Sequence, residues 1–440
     1  MKTTFTKITS SLAILGTMLT AQAAWEITSS GSTFEVSDGD WILQCQKSGS
    51  EGDFKISKVI QSGEGKLDLI ALNSDIDDGQ TDYSLIGINT SLRNQTINGI
   101  TIPKTVKTID GYSFQSNSNP KKYLTGDVVI EEGSELTSIG NQAFQNSLIT
   151  SINLNVCTKL ESLGDLSLAS STLTTLGTEV LPETLSYLGG GVFNGCANLA
   201  QDIICYGKLS LGGTENFKKS AITRVILPNI YGHVGDRAFE STTNLTEVIL
   251  NSSITGFGIN CFSSSNIEKL IPSEYPNVTN LGSGAFSSAQ KLTTALDFSK
   301  CTFTTMNSTF KHTNLIPEIR FPATLNSFTA YTFEKVKDCD YYFYGPPPVV
   351  DNADGIFKQN SGTERSNFLV TPEYVNSYTN GTVSGYVFTP IAEVPEVEKT
   401  PQYQYPENAR VLGKLVVGRS PTGTHWLSLM PVVGTIILIQ

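Results

Sequence analysis

Few side chains in this 440-residue chain could do chemistry. There are three histidines, His233, His312 and His425. Metal binding or general-base catalysis needs a histidine with further ligands or a carboxylate at set spacing. Neither His233 nor His312 has a local Cys, Asp or Glu set of that kind. The seven cysteines are Cys45, Cys157, Cys196, Cys205, Cys261, Cys301 and Cys339. No two are close enough for the CxxC of a zinc site. Cys196 and Cys205 could pair in an exported protein, but small buried thiols are the favoured reading. The stretch "NSDIDDGQTDYS" (73–84) alternates Asn73, Asp75 and Asp77 as a calcium loop does. Its sixth position is Asp78 rather than Gly and its twelfth is Ser84 rather than Glu, so a solvated turn is the better reading. No GxSxG elbow, phosphate-binding loop, HExxH or GxGxxG is present. The expectation is a non-enzyme with no cofactor and no metal.

Charge narrows the partners. Lys and Arg number 30 against 41 Asp and Glu, a net charge of −11. Nucleic acid and anionic membranes need basic patches, and no run of Lys or Arg supplies one. The start of the chain reads as a secretory signal over 1–23: Lys2 and Lys7, then the apolar "SLAILGTML", then "AQA". No transmembrane helix is expected beyond it. An extracellular or cell-surface location follows.

What could position any site is a repeat. Phe193, Phe217, Phe239, Phe262, Phe286, Phe310, Phe333 and Phe357 recur every 22–24 residues. Phe114, Phe144 and Leu168 continue the series upstream, with a longer step between the first two. Four residues before the anchor sits a glycine, as in Gly140, Gly189, Gly235 and Gly282. Apolar residues flank it on both sides, and strand-like runs such as "RVILP" (224–228) and "EVIL" (247–250) follow. A period in the low twenties marks a solenoid. One coil cannot bury its own apolar face, whereas stacked coils bury a continuous one. The fold class expected is a β-rich solenoid, a leucine-rich repeat right-handed coil with one short strand and a short helix or turn per 22–24-residue repeat. The glycine suits either a positive φ or a close backbone approach.

Alternation along each strand sets which residues face out. In "LTEVIL", Val248 and Leu250 point in, while Glu247 and Ile249 point out. The stacked equivalents form one outward column of Arg224, Glu247, Lys269, Thr294 and Glu318. A neighbouring column holds Ile226, Ile249, Ile271, Leu296 and Arg320. Apolar residues stacked on an exposed sheet form a contiguous patch, the usual mark of a contact surface.

"LTSIGNQAFQNSLITSINL" (136–154) and "HVGDRAFESTTNLTEVILN" (233–251) resemble the BspA-like leucine-rich repeat family. Its motif runs apolar-Gly-x-x-Ala-Phe-x-x-Cys-x-x-Leu-x-x-Ile-x-Leu-Pro. Cys196 in "GVFNGCANL" stands at the family's Cys position, which most other frames lack. The segment 341–391, with Pro346-Pro347 and "VTPEY", looks like the family's last repeats. The resemblance implies a surface or secreted protein used in adhesion or protein binding, with no catalytic residues to carry over.

The layout expected is a signal peptide at 1–23, an N-terminal β cap at 25–96 and BspA-like repeats at 97–391. A Pro/Glu-rich linker at 392–409 and a hydrophobic tail at 410–440 complete it. In the tail, "RVLGKLVV" is expected to pair with "VVGTIILI" as a hairpin, with a sorting segment as the other reading. The function expected is adhesion to, or binding of, an extracellular protein or glycan. A structural spacer of the envelope or matrix is the alternative.

Overall fold

The computed structural model describes residues 23–350, apart from 49–51, 78–80, 90–91, 118–121, 330 and 337–338. Beyond 350 it describes 367–370, Tyr374, 382–383, 386–387, 411–419 and 425–430. The expected signal peptide (apart from its last residue) and the linker lie outside these residues.

The expected solenoid is present, and each coil contributes to three sides. On the first side, parallel strands such as Ile203–Ile204, Arg224–Ile226, Glu247–Ile249 and Lys269–Ile271 form a ladder. Further along, Leu296–Asp297, Glu318–Phe321 and Asp340–Phe343 form another stretch of that side. The second side carries a strand that the sequence reading did not separate out. Thr108–Ile109, Ser138–Ile139, Ser162–Leu163 and Tyr187–Leu188 pair in parallel. His233–Val234, Gly256–Phe257 and Asn280–Leu281 repeat the pattern. These strands are two residues long, too short to show as an alternating pattern.

The amino-terminal end is built differently. Glu26–Ile27, Thr33–Ser37, Ile42–Lys47 and Asp53–Gln61 pair antiparallel in chain order. Asp53–Gln61 then pairs in parallel with Ser84–Ile88, which hands the sheet on to the coils. Trp25 and Trp41, 2% and 1% exposed, fill this end. Near the other end, Val411–Arg419 pairs with His425–Met430. "RVLGKLVV" therefore does enter a hairpin, but its described partner is His425–Met430; the expected partner, 432–439, lies outside the described residues.

The third side holds the Phe anchors in a run of turns. Residues two before and two after the anchor take left-handed φ, as at Gln142 (58°) and Asn146 (59°), and at Arg237 (56°) and Ser241 (59°). Each such L-residue costs about 1–2 kcal/mol. The conformation recurs because it aims the turn's N–H groups at carbonyl partners. Alternate N–H groups donate to the next coil: Gln142 to Asp165, Phe144 to Ser167 and Asn146 to Ala169, at 2.7, 2.8 and 3.0 Å. The N–H groups between them donate three residues back in their own coil, as Ala143 does to Gly140.

The anchors stack inside this side. Phe193 and Phe217, Phe217 and Phe239, and Phe262 and Phe286 lie 5.6, 5.1 and 5.4 Å apart, with rings within 11° of parallel. Leu168 interrupts the series between Phe144 and Phe193, fully buried in the same core. The glycine does its work by close approach. A Cβ on Gly140 would lie 2.4 Å from Gly111 N, and one on Gly258 would lie 2.6 Å from Gly235 C. Three residues after the anchor, Ser171, Ser220, Thr242 and Ser265 donate their hydroxyls to the anchor's carbonyl at 2.6–2.8 Å. This is the position of Cys196, so these frames carry a small hydroxyl where that one carries Cys, whereas Ala289 and Val336 stand there after Phe286 and Phe333. Cys196 itself is buried, its Sγ 3.2 Å from the Leu168 carbonyl oxygen. Cys196 and Cys205 are separate buried thiols, so the pairing considered for them is not made.

Candidate functional site

The outward columns of the first side are laid out by strand register. Arg224, Glu247 and Lys269 are hydrogen-bonded neighbours in one row, and Ile226, Ile249 and Ile271 in the next. Val225, Val248 and Leu270 between them are fully buried. The inward face therefore anchors the strand, and the alternate side chains point outward, half-buried at Arg224, Ile226, Glu247 and Ile249 and exposed at Lys269 and Ile271.

The aliphatic row is longer toward the amino terminus than the sequence reading had it. Ile204 pairs with Ile226, and Val180 pairs with Ile204. The row runs Val180, Ile204, Ile226, Ile249, Ile271, with 45% exposure at one end, 39% at the other and the three between half-buried. Sequence reasoning missed the first two because neither the coil from 168 to 193, which holds Val180, nor the coil from 193 to 217, which holds Ile204, keeps the strand pattern. The signal was "VLPE" (180–183), which repeats "ILPN" (226–229).

Toward the carboxyl terminus one expected member drops out. Leu296 is fully buried and pairs with the inward Ile319, while Asp297 pairs with Arg320. A slip of one residue exchanges the two faces of a strand. Here it turns Leu296 into the core and puts Asp297 outside. Thr294 is half-buried, and its Oγ1 accepts from the Leu270 N–H at 3.0 Å. It closes the strand rather than lining a surface.

The charged row is largely self-neutralised. Arg224 bridges Asp202 at 3.1 Å and Glu247 at 2.9 Å. Arg320 pairs with Glu318 and lies 4.8 Å from the Tyr342 ring centre. Lys269 is exposed at the edge of the row. At the Val180 end, the surface sinks into a cleft of about 350 Å³ lined by Leu154, Asn155, Thr158, Val180, Pro182, Glu183 and Thr184.

The groups that looked chemical in the sequence are used structurally. Asn73 Oδ1 accepts from the Leu85 N–H at 2.7 Å, and Asp75 Oδ2 from the Trp25 N–H at 3.2 Å. Asp78 lies outside the described residues. His233 sits exposed at a strand start, and His312 stands 3.5 Å from Glu334. No group of three or more His, Cys, Asp or Glu among the described residues could hold a metal. No helix among them is long and apolar enough to cross a membrane.

Comparison with known proteins bears on this architecture. The family described as BspA type leucine rich repeat region matches residues 86–212 and 210–340, with 6 copies. No curated protein matches the chain. A leucine rich cell surface protein from Faecalibacterium prausnitzii is similar in structure, with 16% identity and a TM-score of 0.39 over 72% of this chain and 90% of that one. A leucine-rich repeat protein from Bacteroides ovatus has 12% identity and a TM-score of 0.42 over 79% of this chain and 93% of that one. The pneumococcal vaccine antigen PcpA has 14% identity and a TM-score of 0.28, covering 70% and 93%.

Proposed function

This chain belongs to the BspA type leucine-rich repeat family, and from that premise we propose that it is an exported, non-catalytic binding protein. It acts at the cell surface or outside the cell and holds an extracellular protein or glycan against the outer face of its first side. The observation that carries this reading is the row of five outward aliphatic side chains in register, exposed at Val180 and Ile271 and half-buried at Ile204, Ile226 and Ile249. A contiguous apolar surface on a soluble repeat costs solubility unless something covers it. The antiparallel strands at 26–61 serve as the end cap that a solenoid needs. Export rests on the apolar stretch and "AQA" near residue 23.

The test is an array of immobilised extracellular proteins and glycans probed with the purified chain. Ile249→Asp is expected to remove the strongest signal and, because Ile249 points outward and is only half-buried, to lower the melting temperature less than Val248→Asp, whose side chain is fully buried. Binding that survives this variant removes the face from the reading.

The spacer alternative draws on the Asp202–Arg224–Glu247 lattice, which neutralises a row that a charged partner would otherwise use. It predicts extraction with the envelope and no signal on the array.

A further inference from the structure

The cleft at the Val180 end of the aliphatic row differs from the rest of the face in its charge. Beside the row, Asp202 and Glu247 share Arg224, and Glu274 pairs with Lys300. Glu183, on the cleft wall, has no cation within ion-pair distance among the described residues, and no Lys or Arg lines the cleft. Glu179, next to Val180, is exposed and likewise outside the ion pairs of this face. Leu154, Val180 and Pro182 give the cleft an apolar floor, and Asn155, Thr158 and Thr184 a polar rim. Its volume of about 350 Å³ is at the small end of ligand pockets, which run from about 300 to about 1,000 Å³. That suits one long side chain better than a whole ligand.

The row fixes what lies beside that side chain. Adjacent strands are about 4.8 Å apart, so five stacked residues span about 19 Å. In an extended polypeptide, side chains on one face repeat at about 6.7 Å, so a segment of seven residues places four of them along the row. A long cationic side chain lays its apolar stem along Val180 and Pro182 and brings its charge to Glu183. An acidic side chain would meet Glu183, Glu179 and a protein of net charge −11.

We propose that the cleft is the end-pocket of a peptide-binding groove. Its occupant is an extended segment of a partner protein, aliphatic at alternate residues, with a Lys or Arg at the end that meets Val180. This rests on the face reading given above and specifies the partner's chemistry.

The probes are fluorescein-labelled octapeptides that alternate Val and Thr and end in Arg, in Glu or in Gln. They are titrated into the full chain by fluorescence anisotropy at about 0.1 M and about 1 M salt, where the Debye length falls from about 10 to about 3 Å. At the lower salt the Arg peptide is expected to bind at least about tenfold tighter than the Glu peptide, the ratio one charged hydrogen bond supplies. The ratio shrinks at the higher salt. Glu183→Gln brings the three peptides together while keeping their common affinity. Ile249→Asp weakens all three alike. Equal binding of the Arg and Glu peptides, a preference that persists in Glu183→Gln, or no binding of any peptide overturns the proposal. If the preference holds but Ile249→Asp changes nothing, the cleft stands and the face reading falls.

Discussion

The rings of Phe239 and Phe262 lie 4.9 Å apart and 3° from parallel, one coil directly over the next. Their N–H groups take the same direction, Phe239 to the Cys261 carbonyl and Phe262 to the Ala285 carbonyl. Side-chain stacking and main-chain pairing thus share one register, so a change to either is felt in the neighbouring coils.

Phe262→Ala should cost about 3–5 kcal/mol, the range for emptying a buried aromatic site. Phe262→Leu should cost clearly less, because Leu168 already occupies the equivalent position in its own coil, fully buried. Urea denaturation of the two variants measures both. Equal losses would mean that ring stacking, and not filled volume, holds the third side.

Gly258→Ala should destabilise more than Gly133→Ala. The new Cβ at 258 would meet the Asp236 N and Gly235 C at 2.6 Å, and backbone cannot swing aside as a side chain can. At Gly133 the φ of 77° carries a strain of about 1–2 kcal/mol, but no atom lies within 4 Å. Thermal melting of the pair orders them.

Acidification through the ordinary histidine range should weaken the fold at His312. Burial pushes its imidazole below the usual value, Lys335 and Lys311 add to this, and Glu334 opposes it. The unfolded chain binds the proton at about 6.5 and the folded chain resists it. Stability is therefore full above that value and falls as pH drops from it toward the lowered folded value. His312→Asn should flatten the dependence of melting temperature on pH in that window. An unchanged slope would place the proton uptake elsewhere.

The thiols should be silent in the native protein. Burial pushes Cys157 and Cys196 up to about 11, and both are fully covered. The thiolate is the reactive form. Labelling with a disulfide reagent near pH 8 should therefore track global unfolding, with denaturant raising the rate. Rapid labelling of Cys196 without denaturant would show that this coil opens on its own.

The sequence by itself determined the coil. The Phe period, the Gly four residues before it and the apolar flanks all specify contacts between equivalent positions in successive coils. Those contacts are local in the repeat, and a repeated pattern shows them many times over. The position three residues after the anchor was not legible: Ser171, Ser220, Thr242 and Ser265 bond their own anchor's carbonyl, whereas Cys196 lies against that of Leu168 in the preceding coil, and only the stacked coils show the difference. The glycine's role was half legible: the residue type marked a special backbone position, and only the stacked backbones showed that proximity is what demands it.

Tertiary structure decided the surface. Which face a strand residue takes depends on register, and a one-residue slip reverses it. Leu296 has the spacing of an outward residue and lies in the core, while Val180 and Ile204 join the outward row from coils whose spacing hides them. The second set of strands and the alternating left-handed residues were also out of reach. Two-residue strands carry no period, and residues as different as Gln142, Arg237 and His312 take the same left-handed φ. Hydrogen bonds to the next coil hold them there, and those partners exist only when the coils are stacked.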